Sequence, residues 1–218
     1  MKKQWEQVQG IYIHIPFCMQ KCLYCDFASF AGKNDLMHQY AVALANEIRR
    51  RAAEMPVSER ATLYFGGGTP SLLPIDDLKI IINALKETEL WREPAEVTME
   101  MNPGTVDFAK LCQYREMGID RVSFGVQSLN DEELKIIGRL HTASEALMAI
   151  EQASKAGFER ISADLIFGLP TQTLASFKDT LATIVASAIS HLSVYGLTVE
   201  EGTPLAAKLA NGSLTLPS

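Results

Sequence analysis

The sequence predicts an α/β fold whose architecture is a partial (β/α)6 TIM-like barrel. Short segments rich in β-branched and aromatic residues alternate with longer helical patterns along most of the 218 residues. This alternation, without a run of hairpin turns, favours parallel strands joined by crossovers. Within each strand one face is apolar and the other polar, as expected of a curled sheet with helices outside and a ligand-filled interior.

The elements follow one another in a regular order. Strands are predicted at residues 10–16, 61–68, 96–103, 121–128, 160–168 and 191–197, and helical stretches at 36–54, 76–86, 107–117, 131–138, 143–156 and 174–188. The candidate N-caps are Asn34 or Asp35, Asp76, Asp107 and Asp131, and the glycines expected after helix ends are Gly118 and Gly157.

Alternation along the strands separates the two faces of the sheet, because successive side chains of a strand point to opposite sides. The apolar face, expected to pack beneath helices, comprises Ile11, Ile13, Ile15, Leu63, Phe65, Val97, Met99, Met101, Val122, Phe124, Val126, Ile161, Ala163, Leu165 and Phe167. The interior face comprises Tyr12, His14, Thr62, Tyr64, Gly66, Thr98, Glu100, Asn102, Ser123, Gly125, Gln127, Ser162 and Asp164. In such barrels the chemistry collects at the carboxyl ends of the strands.

Composition narrows the class of protein. The formal net charge of −6 and the scattered basic residues, apart from the run at 49–51, argue against a nucleic-acid partner. No apolar run is long enough for a membrane span, and no apolar segment follows the basic start as in a secretory signal. The sequence therefore predicts a globular cytoplasmic protein with one sizeable core.

Three of the four cysteines, Cys18, Cys22 and Cys25, form a C-x3-C-x2-C motif directly after the first strand. Clustered thiols in a chain without a secretory signal favour metal or redox chemistry over disulfides. Three thiolates can ligate three corners of a 4Fe-4S cluster and leave the fourth iron without a protein ligand. A zinc site, completed by His14 or formed as a zinc knuckle, is the alternative. Cys112 is interpreted as a core or helix-face residue.

Several motifs together resemble a known family. C-x3-C-x2-C is similar to the cluster motif of the radical S-adenosylmethionine (SAM) superfamily. More narrowly, YIHIPFC, YFGGGTPS, EMNP, RVSFGVQS, GRLHT and DLIFGLPTQT, spread over residues 12–173, resemble the oxygen-independent coproporphyrinogen III oxidase-like proteins. The resemblance implies a 4Fe-4S cluster and SAM as cofactors. The open iron would bind the amino and carboxylate groups of SAM, and an electron from the reduced cluster would cleave its carbon-sulfur bond.

The resemblance also implies which residues contact SAM. They are Tyr12, Tyr24, Gly67, Gly68, Thr69, Glu100, Gln127, Arg139 and Asp164, with Gly196 as a further candidate for adenine. If the resemblance is set aside, the alternative for the glycines is that they merely form a tight strand-to-helix turn. Glu100 and Asp164 could be structural carboxylates paired with Lys or Arg, and Arg139 could be a solvated surface charge.

One departure from the oxidases bears on function. They carry a further cysteine two residues after the third, and Phe27 stands there in this chain. This resembles the HemW branch of the family, haem chaperones that bind and deliver haem. The alternatives are the oxidase itself, which decarboxylates two propionates of coproporphyrinogen III, and an iron-sulfur carrier or sensor. Few basic residues, chiefly Lys21 and Arg139, are expected at the barrel mouth, which favours the chaperone.

The resemblance sets the expected partners and domain boundaries. The partners are haem or a porphyrinogen, a haem-acceptor protein and an electron donor. Residues 1–205 are expected to form the partial barrel, with the cluster loop at 17–30. Residues 206–218 are expected to begin a C-terminal region that is truncated here relative to the family.

Overall fold

The computed structural model describes residues 8–54, 57–88 and 90–217. The strands are β1 (Val8–Ile15), β2 (Phe17–Cys18), β3 (Phe30–Ala31), β4 (Val57–Gly67), β5 (Val97–Met101), β6 (Arg121–Gln127), β7 (Arg160–Phe167) and β8 (His191–Gly196). The α-helices are α1 (Met37–Ala52), α2 (Ile75–Glu87), α3 (Phe108–Met117), α4 (Asp131–Ile136), α5 (Ala143–Lys155), α6 (Leu174–Val185) and α7 (Pro204–Ala210).

The main sheet has six parallel strands in the order β1-β4-β5-β6-β7-β8. Each neighbour along the sheet is the next long strand in the chain, and a helix lies between every successive pair. The sheet curls into a half-barrel, which confirms the predicted fold class. The short strands β2 and β3 pair in parallel at the two ends of the cluster loop, so they hold its base together.

Helix boundaries follow local capping chemistry, although several predicted caps were wrong. Asp107 caps α3 by accepting from Lys110 N at 2.8 Å, and Gly118 ends that helix with φ of +102°, as predicted. The carboxamide of Asn130 caps α4, and the neighbouring Asp131 instead accepts from Ala143 N at the start of α5.

The other two predicted caps also fail. Asn34 and Asp35 lie in a 3-10 turn before α1, and neither caps it. Asp76 lies within the first turn of α2, whose cap position is Pro74.

The apolar faces of the strands form the core beneath the helices. Phe65, Met99 and Phe124 are fully buried on successive strands. Phe167 lies at the end of this face but outside the buried core, because 49% of its surface is exposed. It ends β7 beside the edge strand, and its ring contacts that of Phe177 on α6. Within the described part of the chain, no helix combines the length and apolarity needed to cross a membrane.

Candidate cofactor site at the barrel mouth

The carboxyl ends of strands β4 to β8, together with the cluster loop, line one cavity of about 440 Å³. Every residue predicted to hold the cluster or SAM lines this cavity except Tyr12. The predicted residues in the lining are Cys18, Cys22, Cys25, Tyr24, Gly67, Gly68, Thr69, Glu100, Gln127, Arg139, Asp164 and Gly196. Lys21 and Phe27, the two loop residues that bear on the choice of function, also line it.

The three loop cysteines are free thiols, each half-buried, and two of them face hydrogen-bond donors from other elements. Thr69 Oγ1 lies 3.7 Å from Cys18 Sγ, and Arg139 Nη1 lies 3.5 Å from Cys22 Sγ. Donors and a positive charge beside a sulfur stabilise the thiolate, which is the form that binds metal. Burial raises the pKa of the Cys25 thiol, and the backbone N–H of Phe27 opposes that shift.

The donor set fits a 4Fe-4S cluster with one open iron. Three sulfurs line one side of a cavity that also receives the guanidinium of Arg139. Arg139 Nε is buried and has no hydrogen-bond partner among the described residues, so one donor of this cation is unused. Across the described ranges, no group of three or more His, Cys, Asp or Glu side chains converges on a single metal ion, so the three sulfurs do not form a zinc-type site; in a 4Fe-4S cluster each of them would bind a different iron. Cys112 lies on α3, outside the cavity lining, as predicted.

The glycine segment that ends β4 is packed too closely for side chains. Gly67 has φ of +112°, and a Cβ there would lie 2.5 Å from the His14 ring. A Cβ on Gly68 would lie 2.7 Å from the carbonyl oxygen of Phe17. Gly68 N and Thr69 N donate to carbonyls of Ile15 and Phe17 at 2.8 Å each, which ties the segment to the base of the cluster loop. These glycines therefore permit close backbone approach beside the cavity.

Glu100 and Asp164 face the cavity from β5 and β7, and in the part of the chain that the structure describes neither has a Lys or Arg within ion-pair distance, although the charge of Arg121 acts on Asp164. Glu100 accepts from Tyr64 Oη at 2.7 Å and from Gly67 N at 3.1 Å, and Asp164 accepts from Ser123 Oγ at 3.2 Å. Burial raises the pKa of both carboxyl groups, against the effect of these hydrogen bonds. The interpretation as carboxylates paired with Lys or Arg is therefore wrong.

Arg139 is also not a solvated surface charge. Its guanidinium reaches Cys22 Sγ and donates to the Gly125 carbonyl, and a Cβ on Gly125 would lie 3.0 Å from Gln127 Nε2 and 3.2 Å from Arg139 Nη2. Beneath it, His141 is buried and donates through Nε2 to Val126 O at 3.1 Å. Burial, and next the charge of Arg139, lower the pKa of His141 to about 4.

Tyr12 and His14 lie beside the site. Tyr12 is mostly exposed on the outermost strand β1 and stacks on Tyr64. His14 Nε2 donates to Ala28 O of the cluster loop at 2.8 Å, and its Nδ1 pairs with Tyr12 Oη at 3.2 Å. Both ring nitrogens of His14 thus take part in hydrogen bonds, one of which holds the cluster loop. The hypothesis that His14 completes a zinc or iron site finds no support. Tyr12 stays a predicted SAM contact.

The cavity contains residues that were not among the predicted site residues. Asn102 and Ser123 could have been found, because both belong to the interior face assigned by strand alternation. Tyr195 and Glu200 also line the cavity, from the edge strand and the segment after it. Tyr195 belongs to the strand predicted at 191–197, whose two faces were not assigned, and Glu200 lies beyond that strand, where alternation gives no information.

Comparison with known proteins agrees with this geometry. The sequence pattern that defines the radical SAM superfamily matches residues 12–184, so the chain belongs to that superfamily. Membership implies a 4Fe-4S cluster and SAM as cofactors. The three loop cysteines, two of them beside donors, and the adjoining cavity suit both groups.

Within the superfamily, the chain is similar to proteins called heme chaperone HemW. It is 37% identical to that of Haemophilus influenzae, over 90% of this chain and 53% of the relative. It is 40% identical to that of Escherichia coli, over 89% of this chain and 52% of the relative. The chain thus spans about half the length of these curated relatives.

Among solved structures, the chain is similar to the coproporphyrinogen III oxidase HemN of Escherichia coli, described as a radical SAM enzyme. The TM-score is 0.84 at 29% sequence identity, covering 100% of this chain and 50% of that protein. The half-barrel is therefore common to this chain and an oxidase, so the fold alone does not separate the two functions.

Proposed function

We propose that this chain is the radical SAM barrel of a haem chaperone of the HemW type, which binds haem and passes it to an acceptor protein. The observation that carries the proposal is Phe27, which occupies the place of the oxidases' additional cysteine. Its ring is mostly exposed at the cavity, where a cysteine would present a thiol. The identity of 40% to HemW of Escherichia coli, against 29% to HemN, supports the same choice.

Each part of the mouth has a role in this proposal. Cys18, Cys22 and Cys25 would hold the 4Fe-4S cluster, which with SAM supplies one-electron cleavage of a carbon-sulfur bond. Arg139 donates to Cys22 Sγ at 3.5 Å and keeps a buried donor for a ligand. Gly67 offers backbone beside the cluster loop at a distance that any side chain would block.

The interior carboxylates would hold the nucleoside part of SAM. Glu100 and Asp164 are oriented by hydroxyl and amide donors, so each keeps acceptor capacity for hydroxyl or amine groups. Gln127 lies on the strand between them and adds an amide. We further propose a cytoplasmic location, since four free cysteines suit a reducing compartment. An electron donor and a haem-acceptor protein are the proposed partners.

The second candidate is an oxygen-independent coproporphyrinogen III oxidase, which the similarity to HemN favours. The basic residues at the mouth weigh against it. A porphyrinogen with several carboxylates is best recognised by arginines that bind them in pairs of hydrogen bonds. Here Lys21 Nζ donates to the Phe27 carbonyl at 2.9 Å, and Arg139 is committed to Cys22 and Gly125.

One experiment separates the two. The protein, reconstituted with iron and sulfide and reduced under anaerobic conditions, is incubated with SAM and coproporphyrinogen III, and a second sample is titrated with haem. The HemW protein of Escherichia coli and HemN serve as the two reference proteins. The chaperone proposal predicts saturable haem binding and no protoporphyrinogen IX. Protoporphyrinogen formed with repeated turnover would overturn it and establish the oxidase.

A further inference from the structure

The middle of the cluster loop is held from two sides by segments that are remote in sequence. Leu23 lies between Cys22 and Cys25, and its N–H donates to the Ile137 carbonyl at 3.0 Å. The carbonyl of Leu23 accepts from Leu205 N in the first turn of α7 at 2.9 Å. Both backbone polar groups of this one residue are thus fixed to elements outside the loop.

The first side is the turn between α4 and α5. Gly138 has φ of +79°, and a Cβ there would lie 3.1 Å from Leu23 Cγ and 3.3 Å from Leu23 N. Gln20 Nε2 also donates to the Gly138 carbonyl at 3.2 Å. The glycine lets the turn approach the loop closely enough for the bond from Leu23 N to the Ile137 carbonyl and the bond from Gln20 Nε2 to the Gly138 carbonyl. The next residue, Arg139, then reaches Cys22 Sγ from the same turn.

The second side is helix α7. Thr203 caps it by accepting from Ala206 N at 3.2 Å, and its hydroxyl donates to the Glu200 carbonyl at 2.7 Å. The Leu205 side chain is fully buried, so the first turn of the helix has a fixed place. N–H groups in the first turn of a helix lack partners within that helix. One of them, Leu205 N, is used here on the cluster loop.

We propose that Ile137, Gly138 and Leu205 act as positioning residues for the iron-sulfur cluster by clamping Leu23. We call this set of contacts the Leu23 clamp. Groups that orient metal ligands affect metal affinity and the properties of the cluster without touching the metal. The clamp also makes the segment after the last strand part of the cluster's surroundings. It requires the cluster but no assumption about haem, so it goes beyond the proposed function.

The decisive test compares two glycine-to-alanine variants. Gly138→Ala and the matched control Gly157→Ala impose similar backbone strain, because φ is +79° and +88°, but only the first meets Leu23. A Cβ on Gly157 would have nothing within 4 Å. The clamp predicts that a chelator removes iron from reconstituted Gly138→Ala about 10-fold faster than from wild type. Its reduced cluster should also show an altered EPR spectrum, while Gly157→Ala matches wild type in both. Equal iron loss in the two variants would overturn the proposal.

The helix α7 side has its own matched pair. Thr203→Val and Thr173→Val each remove a hydroxyl cap, with accepted bonds of 3.2 and 3.0 Å respectively, and only Thr203 precedes α7. Faster iron loss in Thr203→Val alone is expected, and equal behaviour of the pair would contradict the α7 side. This pair decides the question even if Gly138→Ala fails to fold.

A double variant tests whether the iron loss of Gly138→Ala can be reversed. Leu23→Ala in the Gly138→Ala background removes the crowded Cγ and should restore slower iron loss than Gly138→Ala alone. Iron loss unchanged by Leu23→Ala would mean that Gly138 does not act through Leu23. A wrong cysteine assignment would give a different result from a wrong Leu23 clamp. In that case Cys22→Ala would keep its full iron content.

Discussion

The charged side chains at the two ends of strands β5 to β7 have opposite surroundings. At the amino ends, Arg160 pairs with Glu96 at 3.2 Å and with Asp120, so the carboxylates are neutralised within the chain. At the carboxyl ends, Glu100 and Asp164 are held only by hydroxyl and amide donors, and burial raises the pKa of both.

The difference indicates which end serves stability and which serves function. Ion pairs that are complete within the chain need nothing from a ligand. Partly buried carboxylates without an ion-pair partner disfavour the fold while charged, and such an arrangement is typical of a binding site. In barrels of this kind the carboxyl ends of the strands carry the chemistry.

The largest effect is expected from the loop cysteines. Cys18→Ala, Cys22→Ala or Cys25→Ala should each reduce the iron content of the reconstituted protein from about four per chain to nearly none, because each removes one of three ligands. Cys112→Ala is the control and should keep both the iron and the cluster absorbance. Loss of the cluster in Cys112→Ala would contradict the three-ligand assignment.

The second prediction concerns pH and His141, at the carboxyl end of the barrel. Because its pKa is lowered to about 4 in the fold, His141 stays neutral there, while the unfolded chain takes up a proton below about pH 6.5. The stability associated with neutral His141 is therefore fully present above about pH 6.5. It falls by up to about 3 kcal/mol as the pH decreases toward about 4.

Denaturant unfolding of the cofactor-free protein at a series of pH values measures this dependence. The control His141→Asn lacks the titrating ring and should show a flatter dependence between about pH 4 and 6.5. Parallel curves for the two proteins would show that His141 is not the group responsible.

Replacing one carboxylate at each end of β5 by an amide tests the two roles separately. Glu100→Gln should weaken SAM binding about 10- to 100-fold, because it removes a charged acceptor from the cavity. The same change should not destabilise the cofactor-free fold at pH 7, since the raised pKa of Glu100 means that its charge disfavours folding above the unfolded-state pKa. Glu96→Gln is the matched control and should leave SAM affinity unchanged. Calorimetric titration and thermal unfolding measure both quantities, and the opposite pattern would reverse the proposed roles.

The smallest effect is expected at Arg160. Arg160→Met should lower the free energy of unfolding by about 1 kcal/mol, because its ion pairs are partly exposed to water. Its cluster content and SAM affinity should equal those of wild type. A loss of either would mean that the amino ends of the strands also contribute to the site.

Strand alternation was enough to predict much of this site. The interior face included Glu100, Gln127 and Asp164, because polar residues at every second position of a strand identify the inward side. The glycine segment and the cysteine loop were predicted from their positions at strand ends. All these features depend on local patterns that parallel pairing brings to one edge.

Contacts between distant segments could not be predicted in this way. The bonds of Leu23 to Ile137 and Leu205 depend on where two helices pack, and backbone groups carry no sequence signature. The cap of α4 was missed by one residue, because Asn130 and Asp131 are both good capping residues. Gln127 takes a positive φ of 69° at the end of β6, a conformation that its side chain does not indicate.

The most direct test of an open iron at this mouth is the EPR spectrum of the reduced, reconstituted protein before and after SAM is added. A cluster held by Cys18, Cys22 and Cys25 alone has a free coordination position, so the spectrum should change as SAM binds. The change should be absent or much weaker at the same SAM concentration in Glu100→Gln. A fully loaded cluster whose spectrum does not respond to saturating SAM would contradict the assignment of this cavity as a SAM site.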